Sequence, residues 1–237
     1  MPLQLEERGG DADGAAFFEL KKLTAPGKGR SFEQYNEKME TYTTLQNETF
    51  QNLLADLQLS SYEPSANVLA LAAVESRFIK DLKINVGNVL NNSQQLSRKE
   101  ALLLALAIAV NERFVALQES FTTLAREAGA SDAEIAEIVA CVSLMNTNNI
   151  YYRFRHFLHK EFYDNTPAGI KMSIMANPVL GKEFFELVSL VVSSVNGCEL
   201  CVSSHERSVL QHGSSESKVL EAVKLGAVIK GLITILA

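Results

Sequence analysis

Apolar residues recur at three- and four-residue spacing along most of this chain, with no convincing alternation of period two. That periodicity predicts helices and no sheet, so the expected fold class is all-α. Residues 1–30 contain Gly9, Gly10, Gly14, Gly27 and Gly29, which would break any long element. Ser31, with Gln34 at the capping-box position, predicts a helix running to about Leu57. Its apolar stripe is thin, as suits a lightly buried surface helix. Pro64 and Ser65 open a second predicted helix, SANVLALAAVESRFIKDL. The following NVGNVLNNSQQ reads as a loop from its Asn and Gly content.

The rest of the chain holds two diverged copies of one unit, Leu96 to Asn146 and Leu180 to Gly231. Each has an apolar helix with an Asn at its end, an amphipathic helix, a Gly stop and a Ser-initiated helix. The landmarks are Asn111 against Asn196, Gly129 against Gly213, and Ser131 against Ser215. Glycine at the C′ position and serine at the next N-cap account for the last two pairs. The Asn-to-Gly intervals differ by one residue. Between the copies, Asn146, Asn148, Asn149, Tyr151, Tyr152, Arg153, Arg155 and His156 form a dense polar-aromatic cluster. Such a crossover either pins two helical halves through hydrogen bonds or presents a substrate or docking surface. The organisation expected is an N-terminal extension over 1–75, partly flexible and then helical, followed by a two-repeat domain over 76–237.

Composition narrows the function classes. An apolar fraction of 47% is enough for a sizeable core in a chain of 237 residues. A net charge of −6 offers no electrostatic footprint for nucleic acid or anionic lipid. No apolar run approaches the roughly 18 residues of a membrane span, and the acidic start MPLQLEERGGDADG does not look like a secretory signal. Three cysteines do not make a disulfide framework. The expected compartment is the reducing cytoplasm, where a CxxC is catalytic or metal-binding more often than structural.

The string NGCELCVSSH, Asn196 to His205, carries the candidate chemistry. It places Cys198, Cys201 and His205 at i, i+3 and i+7, one face of a helix. Asn196 and Gly197 read as a helix start, which puts both thiols where the macrodipole favours an anion. His205, one turn below Cys201, can take or hold its proton. Glu186, on the preceding helix, could orient the imidazole, with Glu183 as its competitor. A zinc site would need further ligands, and His156, His159 and His212 show no matching pair motif. An inert buried cysteine pair is the plain alternative. Cys141, in the apolar run IAEIVACVSLM, reads as a core residue, and His212 as a cation at a helix C-terminus. The first copy has Arg113, Phe114, Ala116 and Ser120 in the matching neighbourhood, so only the second half is equipped for thiol chemistry. Spacing alone allows either cysteine to react first.

From about Ile79 onward the chain resembles the AhpD-type alkylhydroperoxidases of the carboxymuconolactone decarboxylase-like superfamily. The resemblance rests on KDLKINVGNVLNN around Asp81–Asn92, MNTNNIYYRFRH at Met145–His156 and FELVSLVVSSVNGCELCVSSHE at Phe185–Glu206. It implies an all-helical, two-repeat fold assembled as a homotrimer, with no bound cofactor. It also implies a peroxidase cycle. Glu186, through water and His205, helps deprotonate Cys201, the peroxidatic thiol. Cys201 reduces an organic hydroperoxide, Cys198 resolves it into a disulfide, and an external dithiol such as dihydrolipoamide on a lipoyl-bearing protein reduces that disulfide. Two features depart from the family pattern. Leu200 stands where some members have a second histidine, and residues 1–75 have no counterpart in the short members. The departure at Leu200 favours, as an alternative, a redox adapter passing electrons to a partner peroxiredoxin. A non-enzymatic redox-sensing interaction protein is a third reading. Lactone decarboxylation is the weakest, since that chemistry has no use for a CxxC.

Overall fold

The structure, a computed structural model, describes residues 47–237. The N-terminal part of the helix predicted from Ser31, residues 31–46, and the irregular stretch before it lie outside the described residues. Ten α-helices and one short 3-10 turn make up the described residues, with no strand among them.

The extension contributes α1, Glu48–Asp56, and α2, Ala66–Ala73. Asn47 caps the first by accepting from the Phe50 amide, and Ser65 caps the second by accepting from the Val68 amide. The residues between them are fastened to the far end of the chain. Tyr62 Oη donates to the Leu236 carbonyl, and Ser65 Oγ donates to the Ile235 carbonyl at 2.6 Å.

Two expectations are corrected here. The predicted second helix is interrupted at 74–76, where Glu75 takes a left-handed φ of 49° and Ser76 re-caps the chain on the Phe78 amide. The helix that restarts, α3 (Arg77–Asn91), takes in the first seven residues of the segment read as a loop, while 92–95 are non-helical as expected. Ile79, Leu82, Val86, Val89 and Leu90 are all buried at helical spacing, while Gly87 faces open space. Burial of that stripe outweighs the weak helix propensity of the Asn and Gly residues beside it.

The two repeats follow. In the first, α4 (Arg98–Asn111) is followed by α5 (Val115–Glu127) and α6 (Asp132–Leu158). After the crossover, with the short α7 (Glu161–Asn165) and the 3-10 turn Ser173–Met175, the second has α8 (Lys182–Val195), α9 (Glu199–Gln211) and α10 (Glu216–Leu236). Ser97 and Ser131 form complete capping boxes with Glu100 and Glu134, and Ser215 caps α10. Gly129 and Gly213 take φ of 89° and 95° at the helix stops, a conformation that costs glycine least.

The copies superpose in sequence at a constant offset of 84. Arg113 and Gly197 are both left-handed. The Phe114 amide bonds the Ala109 carbonyl as the Cys198 amide bonds the Ser193 carbonyl. The counterpart of Asn196 is therefore Glu112, since both are C-caps, and not Asn111. The one-residue discrepancy in the sequence landmarks disappears.

Helices α4 and α8 are the core. Ala101 to Ala109 and Phe184 to Ser193 are buried without interruption. A helix that is apolar all round can be satisfied only by neighbours on every side. Each packs against the other and against α6 and α10. At the crossing of α10 with α8, Gly226 lets the backbones close up, for a Cβ there would lie 2.5 Å from Val191 Cγ1. Among the described residues no helix is long and apolar enough to cross a membrane.

Candidate functional site

Helix α8 ends at Val195, Asn196 caps it, and Gly197 turns the chain with φ of 70°. Cys198 is the N-cap of α9 and Cys201 lies in its first turn. Both sulfurs lie at the positive end of the α9 dipole, but the helix starts after Cys198 and not at Asn196 and Gly197 as the sequence predicts, because Asn196 closes α8. The two are joined in a disulfide, with Cα atoms 5.3 Å apart. One turn further, His205 is buried and points back to α8. Its Nδ1 lies 2.6 Å from Glu186 Oε2, so the carboxylate meets the imidazole directly. That bond assigns the proton to Nδ1 and leaves Nε2 as the basic nitrogen.

Glu186 is 3% exposed. Its other oxygen, Oε1, accepts from Lys182 Nζ at 2.8 Å. Burial alone would push this carboxyl up, but the bonds and charges of His205 and Lys182 outweigh it and hold it down at about 2. Glu186 is thus an anion clamped between two donors. Glu183, the competing carboxylate, belongs elsewhere. It faces Lys218, which lies 3.2 Å from Glu183 Oε1 and 2.7 Å from Glu100 Oε1.

Lys182 is the member of this cluster that sequence reasoning missed. The available signal was the i, i+4 Lys–Glu pair within KEFFE. Lys182 also donates to the Met175 carbonyl at 2.7 Å, fastening the crossover to the start of α8.

The polar-aromatic cluster is in large part a clasp. Asn111 Nδ2 donates to Asn196 Oδ1 at 3.0 Å, and Asn146 Nδ2 donates to Asn111 Oδ1 at 2.8 Å. Asn196 Nδ2 donates to Asn149 Oδ1 at 2.9 Å, and Asn149 Nδ2 to Ser193 Oγ at 2.8 Å. Arg153 Nη1 donates to the Asn196 carbonyl at 2.6 Å. The turn that aims the cysteines is therefore held from α4 and α6 together. Asn148 is buried and its Nδ2 contacts Met172 Sδ at 3.3 Å. Of the cluster members nearer solvent, Arg155 lies over the Tyr151 ring and donates to the Asp164 carbonyl, Tyr151 meets Tyr152 edge-on, and His156 Nε2 is 3.6 Å from Glu199.

Cys141 lies deep in α6, its sulfur 3.4 Å from Ser189 Oγ, and burial pushes its thiol up to about 12. It is a core residue, as expected. His212 caps the C-terminus of α9, with Nδ1 2.7 Å from the Ser208 carbonyl. Among the described residues no three His, Cys, Asp or Glu side chains converge to hold a metal ion.

The constant offset corrects the comparison between halves. Cys201 and His205 stand opposite Leu117 and Phe121, not Ala116 and Ser120, while Cys198 stands opposite Phe114 and Glu186 opposite Leu102. Leu102, Leu117 and Phe121 are fully buried. What is an anion, a thiol and an imidazole in one half is packed hydrocarbon in the other.

These features define an all-α protein of two three-helix repeats with a cysteine pair at one helix N-terminus. The carboxymuconolactone decarboxylase family, by its sequence model, matches residues 163–237. Alkyl hydroperoxide reductase AhpD of Coxiella burnetii is 38% identical over 157 residues, covering 65% of this chain and 88% of that protein. The protein of the same name from Rhizorhabdus wittichii is 37% identical over 67% of this chain and 90% of its own length. That from Anaeromyxobacter dehalogenans is 39% identical over 63% and 80%. The chain belongs to the AhpD family within the carboxymuconolactone decarboxylase-like superfamily.

Proposed function

We propose that this chain is a thiol-dependent peroxidase that reduces organic hydroperoxides through Cys198 and Cys201. The observation that carries the reading is the Cys198–Cys201 disulfide at the start of α9, with His205 one turn below it and gripped by an ionised Glu186. The names of the relatives, alkyl hydroperoxide reductase, support the substrate class.

In the reduced protein, His205 Nε2 takes the Cys201 proton while Glu186 stabilises the resulting imidazolium. The thiolate attacks the terminal peroxide oxygen. The O–O bond breaks, its electron pair leaves with the alkoxide, and the imidazolium returns the proton to give the alcohol. Cys201 is now a sulfenic acid. The Cys198 sulfur attacks it, the S–S bond forms and water leaves. An external dithiol, dihydrolipoamide on a lipoyl-bearing protein, then exchanges with the disulfide, is oxidised to lipoamide, and restores both thiols. The exposed apolar side chains Ile150, Phe157 and Phe162 on α6 and α7 support assembly as the homotrimer of the family.

One observation favours the adapter reading. Leu200, between the cysteines, is 45% exposed while Cys201 is 5% exposed, so an apolar landing point lies beside a shielded sulfur. A protein partner such as a peroxiredoxin fits that arrangement. Stopped-flow consumption of cumene hydroperoxide by the reduced protein, with dihydrolipoamide as reductant, tests both readings. A peroxidase turns over, is dead as Cys201→Ser and stalls as a sulfenic acid in Cys198→Ser. Absence of peroxide consumption with rapid dihydrolipoamide exchange would replace the peroxidase by the adapter.

A further inference from the structure

We infer that Lys182 is a positioning residue of the thiol site, setting through Glu186 and His205 the pH at which Cys201 becomes reactive. The inference deepens the proposed thiol chemistry and rests on it. Its basis is geometric. Lys182, Glu186 and His205 form one unbranched line, Nζ to Oε1 at 2.8 Å and Oε2 to Nδ1 at 2.6 Å. Both ends of the line are fixed. Lys182 is tied to the Met175 carbonyl, and His205 is one turn from Cys201 on the same helix. A fixed cation at one end of such a line lowers the pH at which each group along it gives up a proton, Cys201 at the other end included.

The repeat separates this role from a purely structural one. At the offset of 84, Lys182 stands opposite Arg98, the first residue of α4 as Lys182 is of α8. Arg98 Nη1 donates to the Leu90 carbonyl at 2.8 Å, the same kind of loop clasp that Lys182 makes to Met175. The residue opposite Glu186, however, is Leu102, so the clasp exists in the first half without any carboxylate to serve. The shared feature is the clasp; the bond to Glu186 is confined to the half that carries the cysteines.

The other charged groups around the line are already engaged. On α6, Glu137 accepts the Val179 and Leu180 amides, Cys141 is buried against Ser189, and His156 faces Glu199 of α9. On α4 and α10, Glu100 and Lys218 pair with one another, and Lys218 also takes Glu183 of α8. Glu186 takes Lys182 as its lysine partner.

The test uses the full chain in a Cys198→Ser background, so that Cys201 is the reactive thiol while Cys141 stays silent in the core. Iodoacetamide alkylation of Cys201 is followed by mass spectrometry across pH. With Lys182→Met, loss of the cation makes each nearby deprotonation harder. The rising limb moves to higher pH by about half a unit or more, which is about threefold slower alkylation below the limb. Lys182→Arg keeps the charge and keeps the wild-type limb. Arg98→Met loses the corresponding clasp in the other repeat and leaves the limb in place. A Lys182→Met limb coincident with wild type overturns the inference. So does an equal shift in Arg98→Met, which would make the effect one of general loosening. Cumene hydroperoxide turnover by the protein with both cysteines is measured separately. Its absence would sink the peroxidase reading while leaving the alkylation result to judge Lys182.

Discussion

Replacing Glu186 by glutamine keeps the side-chain shape and removes the charge, so it measures what the clamped carboxylate contributes. In the fold its carboxyl is held at about 2 against an ordinary 4.5. A difference of about 2.5 pH units corresponds to about 3 kcal/mol between the ionised and neutral forms. The side chain is buried, so solvent screening takes little from this figure. The sign follows from the depressed value. The contribution is present above the unfolded pKa and is lost as pH falls through the folded one. Urea unfolding of wild type and Glu186→Gln should therefore differ by about 3 kcal/mol at pH 5, and by about half of that at pH 3. Carboxylates common to both proteins drop out of the difference. A gap that stays constant from pH 5 to pH 3, or one below about 1 kcal/mol at pH 5, would refute the assignment of Glu186 as a doubly bonded anion.

Other expectations address the core and the clasp. Gly226→Ala forces a methyl group against Val191 and should cost about 1–3 kcal/mol in urea unfolding, whereas Gly231→Ala meets open space and should gain up to about 1 kcal/mol. Equal effects at the two glycines would contradict the close α10–α8 crossing. Asn149→Ala leaves Asn196 Nδ2 without its acceptor and Ser193 Oγ without its amide donor, an expected loss of about 1–3 kcal/mol by the same assay. No change in unfolding midpoint would mean the clasp bears no weight. After reduction, a thiol reagent at neutral pH should titrate Cys198 and Cys201 in the native protein and reach Cys141 only on denaturation. Prompt reaction of all three would deny Cys141 its place in the core.

Much of this arrangement is local and so readable from the chain itself. Serine caps at Ser65, Ser97, Ser131 and Ser215, and glycine stops at Gly129 and Gly213, act within one turn of themselves. The face shared by Cys198, Cys201 and His205 follows from 3.6 residues per turn and needs no partner helix. Where local signals were weak, burial prevailed. Asn85, Gly87, Asn88 and Asn91 read as loop residues, yet they ride on a helix because Val86, Val89 and Leu90 have a core to enter. The break at Glu75 follows an apolar run with no Gly or Pro to mark a stop, and Ser76, which caps the next helix, is its local signal.

The sequence by itself determined the helical class, the twofold repeat and the face on which the cysteines and His205 meet, since each depends on spacings of a few residues. Tertiary structure decided which carboxylate serves the imidazole, that Lys182 joins it, and that Asn111 and Asn196 clasp each other rather than correspond. These depend on the rotation of one helix against another. Helix α8 is buried from Phe184 to Ser193, so its own polarity pattern does not say which side faces α9. Only packing against α4, α6, α9 and α10 turns Glu186 toward His205 and Glu183 toward Lys218.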